Sequence, residues 1–480
     1  MICCAEARSF GVMQLAPPPG RYQGQHAIVV GASIGGLVAA RILSAHFDRV
    51  TVFDRDMLPA SIENRRGVPQ GRHGHGLLAS GLRGLKALFP RLEKSLLDAG
   101  AITGDVIGNA RWFQHGHYKA KFHSGFEGLL FSRPLLEVTL RRQVLELPNV
   151  RILDNTRVLG LMASKDRVEG VRVQQAGERG VSYGADLVVD AGGRASRAPE
   201  WLQDLGYERP KDEEVFVGLG YTTRLYRRVP TDLGGDVAAI IAPKPPKQMR
   251  VGFALAIEGN RWMVTMGGWL GNHCSPDPEK YLEFSKGLAT QDIHELISRA
   301  EPLTDAVSFA FPSNLRRRYD RLKRFPMGFL VMGDALCSFN PLYGQGMSVA
   351  TLEALALRDC LESASSTDDV WRPFFKAASR VIDGPWMIAS GGDFAFEGVT
   401  GSRPFANGAI NWYLERVHKA ASTDRRVCRA FFDVANLLAP PPSLFKPSIV
   451  ARVTKECLLP SSSKAIGRVD SEQRRLVETH

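Results

Sequence analysis

The stretch His26–Asp54, HAIVVGASIGGLVAARILSAHFDRVTVFD, decides the fold. An apolar run from Ala27 to Val30 meets a turn of small residues, Gly31-Ala32-Ser33-Ile34-Gly35-Gly36, and a Leu- and Ala-rich segment follows to Leu43. A β-branched run, Val50-Thr51-Val52-Phe53, then stops at Asp54. Strand, turn, helix and strand in that order make a βαβ unit. Gly31 permits the tight turn, Gly36 lets the helix pack close to the strand, and the helix N-terminus faces a diphosphate. Asp54 stands about twenty residues on, where a carboxylate reaches a ribose hydroxyl pair.

The pattern departs from G-x-G-x-x-G at its middle position, where Ser33 stands. Gly31-Ala32-Ser33-Ile34-Gly35 also fits G-x-S-x-G, the nucleophile elbow of a serine hydrolase that would use Ser33. An elbow normally follows several strands and gives no reason for an acid closing the next one. Dinucleotide binding is therefore the stronger reading.

The rest of the chain sets bounds. Its 480 residues allow two or three domains, and 44% hydrophobic with 23% charged residues is ordinary for a globular protein. No apolar run reaches the length of a transmembrane segment. Residues 1–25, ending near Pro17-Pro18-Pro19, read as a disordered tail rather than a signal peptide. Seven cysteines without a C-x-x-C fit a reducing compartment, the cytoplasm by default, with no disulfide framework and no zinc site. The net charge of +11 is dispersed and comes with no nucleic-acid motif, so no nucleic-acid partner is expected; peripheral contact with a membrane is compatible with it.

Along the chain, 26–110, 128–214 and 304–367 read as one discontinuous dinucleotide-binding domain. A second domain, 111–127 with 215–303, shows alternating strands at Val215–Tyr226, Ala238–Ala242, Val251–Ile257 and Trp262–Gly268, closed by a helix over Pro278–Ala300. Residues 368–480 read as a helical region broken at Pro440–Pro442. The fold class is α/β, Rossmann-like, with an inserted, mostly antiparallel sheet. His115, His117, Tyr118 and His123 form the one cluster of candidate bases, and none is assigned a role.

A second stretch repeats the logic of the first. In Gly328–Arg358, GFLVMGDALCSFNPLYGQGMSVATLEALALR, a strand ends at Gly333-Asp334, and a loop with Gly344 and Gly346 opens a long helix at Met347. An acid at a strand end and a Gly-rich loop at a helix N-terminus again suit an anionic cofactor.

Taken with Arg72-His73-Gly74-His75, Ser132-Arg133, Asp186–Gly193 and Tyr319-Asp320, these motifs resemble the FAD-dependent monooxygenases of the para-hydroxybenzoate hydroxylase class. Within that class the resemblance is strongest to bacterial epoxidases of polyether-type polyenes. It implies a glutathione-reductase-like flavoprotein. Gly31, Ser33 and Gly36 would hold the FAD diphosphate, Asp54 the adenosine ribose, and Arg55 with the backbone at Val158 the adenine. Arg66 and Arg133 would lie by the diphosphate and ribityl chain, Gly333-Asp334 at the ribityl hydroxyls, and Gly344, Gly346 and Met347 at the flavin ring. The reaction implied inserts one oxygen atom from O2 into a hydrophobic small molecule, by epoxidation or hydroxylation, through a flavin C4a-hydroperoxide. A flavin-dependent reductase or dehydrogenase of an isoprenoid-like substrate is the alternative. Asp190-Ala191-Gly192-Gly193 departs from the Asp-Gly pair implicated in NAD(P)H binding, so NAD(P)H would reduce the flavin either directly or through a separate flavin reductase.

Overall fold

The apolar runs of the two motifs lack alternation because both faces of their sheet are covered. In the computed structural model, which describes residues 23–175 and 180–458, Gly24–Val30 is the central strand of a five-stranded parallel sheet. The order is Phe329–Val331, Leu187–Asp190, Gly24–Val30, Phe47–Phe53, Val150–Leu153. Ala27, Ile28, Val29, Val188, Val189 and Val331 have no solvent exposure. The helix Ile34–Leu43 packs on Gly346–Ser363 and Arg133–Leu145, so the helices behind the two sequence motifs touch each other.

Most of the expected tail, with Cys3 and Cys4, lies outside the described residues. Gly24 and Gln25 belong to the first strand instead, because the Asp186 carboxylate accepts from the Gln25 and His26 backbone N–H groups at 2.7 and 2.9 Å.

The second layer is a nine-stranded sheet. Its path runs Cys337–Ser338, Val307–Arg317, Asp212–Arg227, Arg261–Gly268, Arg250–Ile257, Ala238–Ile241, Ala110–Gln114, His117–Tyr118, with Thr400–Gly401 added to Asp212–Arg227. All pairings are antiparallel except Ala238–Ile241 with Ala110–Gln114. This is the α/β fold with an inserted sheet that the sequence suggests. Pairing continues past position 303, however: Val307–Arg317 lies along Asp212–Arg227 and carries the chain from this sheet back toward the Gly333 motif.

The expected helix over Pro278–Ala300 is two, Pro278–Lys286 and Asp292–Ile297. Gly287 ends the first, and Ser285 bonds to the His294 ring at 2.8 Å, folding the second back on it. C-terminal helices Trp371–Asp393, Asn407–Ala420, Arg425–Ala435 and Pro447–Leu458 follow, with Phe431 and Phe432 set edge-on against Trp112 of the sheet. Among the described residues no helix is long and apolar enough to cross a membrane.

Candidate active site

Parallel strands deliver their C-terminal ends to one edge, which is where such sheets bind ligands. Three neighbours therefore bring Gly31, Asp190 and Gly333 together at the mouth of one cleft of about 480 Å3. Gly31 has φ +98°, and a Cβ there would stand 2.6 Å from the Ala191 carbonyl oxygen. A Cβ on Gly36 would collide with the Gly31 carbonyl, so the helix sits on the strand from its first turn.

Gly31, Ser33, Asp54, Arg55, Arg133, Val158, Gly333, Asp334, Gly344, Gly346 and Met347 all line this cleft. The two remaining expected contacts do not. Gly36 stands behind the wall as a packing residue. Arg66 is exposed, and Arg65 takes the inward place. His115, His117, Tyr118 and His123 are also absent from the lining; His115 stacks on His418 of a C-terminal helix, centroids 4.3 Å apart, and Tyr118 donates to Asp292.

The end of the cleft at Asp54 is an ordered charge network. Arg65 pairs with Asp54 at 3.1 Å, Asp56 at 2.9 Å and Glu137 at 2.6 Å. Burial opposes the charge on Arg65, but Glu137, Asp54 and Asp56 together hold its pKa above the ordinary arginine range. The other Glu137 oxygen accepts from Ser33 Oγ at 2.9 Å, and Arg133 Nη2 donates to the same hydroxyl at 3.0 Å. Asp54 Oδ2 accepts from the Ala32 N–H at 2.7 Å, tying the acid to the glycine turn. Ser33 thus serves as a bridge between a guanidinium and a carboxylate. Among the described residues no histidine bonds to it; the group that accepts from its hydroxyl is the Glu137 carboxylate.

At the other end, the Asp334 carboxylate forms no hydrogen bond with any described residue, although it faces the cleft. Burial raises its pKa, opposed by Arg133 and Arg194. Arg133 Nε is buried without a hydrogen-bond partner and has the Glu137 carboxylate 4.0 Å away. Gly344, at φ +66°, ends the turn Pro341–Tyr343 and lets it approach Gly76, while Gly346 and Met347 begin the long helix. A free carboxylate for hydroxyls, a guanidinium N–H with no hydrogen bond of its own for phosphate and two helix N-termini on one cleft fit FAD.

The far wall comes from the antiparallel sheet. Tyr221 and Phe309 are cross-strand partners with ring centroids 5.6 Å apart, and Phe311 lies under the Arg194 guanidinium at 5.1 Å. Arg194 is fixed there by two 2.7 Å bonds to Ser313. His75 also lines the cleft; burial and the neighbouring Arg133 push its pKa down to about 3. Sequence reading assigned apolar side chains of the inserted sheet to the acceptor but named none of these residues. The wall's one visible signal is alternation, which puts every second residue of both strands on a common face.

No family model matches the chain. It is 35% identical over 396 residues to Protein Rv3254 of Mycobacterium tuberculosis, covering 78% of this chain and 81% of that protein. Squalene epoxidase 1 of Arabidopsis thaliana matches at 26% identity over 71% of this chain, which spans only 60% of that relative's length. Among solved structures, p-nitrophenol 4-monooxygenase PnpA from Pseudomonas putida DLL-E4 superposes with a TM-score of 0.60 at 17% identity, covering 86% of this chain and 99% of that one. The chain belongs to the family of Protein Rv3254 and has the fold of the FAD-dependent monooxygenases.

Proposed function

We propose that the chain binds FAD along this cleft and inserts one oxygen atom from O2 into a hydrophobic small molecule, with epoxidation of an alkene favoured over hydroxylation of a phenol. One observation carries the reading: two remote loops, each leaving a parallel strand and entering a helix, line a single cleft whose opposite wall is aromatic. Asp54 would hold the ribose and Arg55 with Val158 the adenine. Ser33 and Arg133 would hold the diphosphate, with Arg65 rather than Arg66 as the arginine behind it. Asp334 would take the ribityl hydroxyls, and Gly344, Gly346 and Met347 would face the ring. When bound and reduced, FAD supplies the activation of O2. The sheet wall contributes an apolar, water-excluding surface that orients the acceptor.

The choice between acceptors follows from proton demand. A phenol requires a base in the transition state, whereas an alkene takes up an electrophilic oxygen with no proton to remove. His75, at about 3, is a feeble base, and burial raises the Tyr221 pKa far above neutrality. The likeness to Squalene epoxidase 1 supports the same choice. Electrons would come from NAD(P)H, directly or through a separate reductase.

The test is the visible spectrum of the purified protein, then turnover with an apolar alkene under 18O2. Flavin absorbance and one labelled atom in the product are expected. A colourless protein that takes up no FAD sinks the cofactor, and a reduced or desaturated product without label moves the enzyme to the reductase and dehydrogenase class. Bleaching by NADPH alone identifies the direct electron route.

A further inference from the structure

Asp393 ends the helix Trp371–Asp393 and has no solvent exposure. Its carboxylate accepts from four neutral donors: the Trp269 indole at 2.8 Å, the Asn314 amide at 2.7 Å, the Asn340 amide at 2.9 Å and the Tyr343 hydroxyl at 3.2 Å. Trp269 and Asn314 belong to the antiparallel sheet region, whereas Asn340 caps and Tyr343 ends the turn that precedes the long helix beside the cleft. The attachment is doubled, because Asn314 Oδ1 accepts the Asn340 backbone N–H at 2.5 Å and Asn340 Oδ1 accepts that of Leu342 at 3.0 Å. Gly392 leaves the room: a Cβ on it would collide with the Tyr343 hydroxyl. Pro341 and Gly344 of the same turn line the cleft.

We propose that Asp393 is a positioning residue that fixes the Asn340–Gly344 turn against the flavin-ring end of the cleft, making the C-terminal helix part of the cofactor site. The inference rests on the FAD reading. Burial pushes Asp393 up to about 6, with the four donors opposing it, so near neutral pH it remains an all-acceptor group. An asparagine in its place would set an NH2 against one of those donors.

The experiment compares D393N, Y343F and G392A with the parent chain, reading FAD dissociation constant, visible spectrum, midpoint potential and melting temperature. D393N is expected to raise the FAD dissociation constant about tenfold, equivalent to ~1.4 kcal/mol. It should also move the flavin band and the potential of what remains bound. Y343F and G392A should show smaller shifts of the same kind, although alanine favours the helix and Y343F removes a single donor. If D393N does not fold, those two variants decide. Folded Y343F and G392A proteins with parental affinity, spectrum and potential would overturn the proposal and leave the FAD reading intact. A parent chain that takes up no FAD overturns the FAD reading itself.

Discussion

At Arg65 three carboxylates converge on one buried guanidinium, and the geometry dictates what its loss costs. Arg65→Met leaves Asp54, Asp56 and Glu137 without their shared cation, a defect of about 3–5 kcal/mol. The melting temperature and FAD uptake should both fall. The exposed neighbour is the control: Arg66→Met should stay within about 0.5 kcal/mol of the parent. Equal melting curves for the two variants would contradict the network. Ser33→Ala removes the bridge between Arg133 and Glu137, so FAD affinity should weaken several-fold. Esterase activity in the parent that vanished in this variant would instead revive the hydrolase reading. Gly31, Gly36 and Asp54 were legible because each answers to a fixed spacing from a strand or helix end, whereas Arg55, Arg133 and Val158 came only from the family resemblance. The choice between Arg65 and Arg66 was not legible, since a loop has no periodicity to tell which of two adjacent side chains turns inward.

The strand–turn–helix elements were equally legible, and their glycines divide into two kinds that substitution separates. Gly36 is a contact residue, so Gly36→Ala drives a methyl into the Gly31 carbonyl and should abolish FAD retention and lower the melting temperature. Gly35 has room: a Cβ there would stand 3.8 and 3.9 Å from the Ala191 and Ala350 methyls, so Gly35→Ala should fold normally. A folded, flavin-loaded Gly36→Ala protein would remove the close-packing account of the turn. Other features depend on partners distant in the chain. The fold-back after Gly287 relies on the Ser285–His294 bond, and the reach of the sheet past position 303 depends on pairing with Asp212–Arg227. Neither leaves a local signature. The aromatic wall at Tyr221 and Phe309 is hidden for the same reason: alternation gives the face, while the pairing of the two strands is decided by tertiary packing.

Across the whole molecule, the hairpin Ala110–Tyr118 is clamped by the C-terminal helices through buried basic groups, two of them histidines held uncharged. Burial pushes His115 down to about 4, with Lys119 adding to it, and drives His418 well below its ordinary value. Buried Lys119 donates to the His418 carbonyl at 3.2 Å and is pulled down to about 7 by desolvation. In the unfolded chain a histidine takes its proton near pH ~6.5. As pH falls from there toward about 4, the unfolded state binds protons that native His115 and His418 refuse. Their contribution to stability is complete above ~6.5 and is lost progressively below it. Lys119 contributes stability that is lost as pH falls from the ordinary lysine range through about 7; it is present in both proteins compared below. Two buried carboxylates act with the opposite sign: Glu353, raised to about 8, and Asp393, raised to about 6, bind protons in the native state first and favour it as pH falls. The raw acid profile mixes both signs, so the discriminating quantity is a difference. Melting temperatures of the parent and of a His115→Asn/His418→Gln double variant, taken between about pH 7.5 and 4.5, should converge as pH drops, because the variant has lost the two groups whose protonation opposes folding. Asparagine suits position 115, where the backbone has φ +53°. Parallel curves across that range would mean that the native state does not hold these two rings unprotonated.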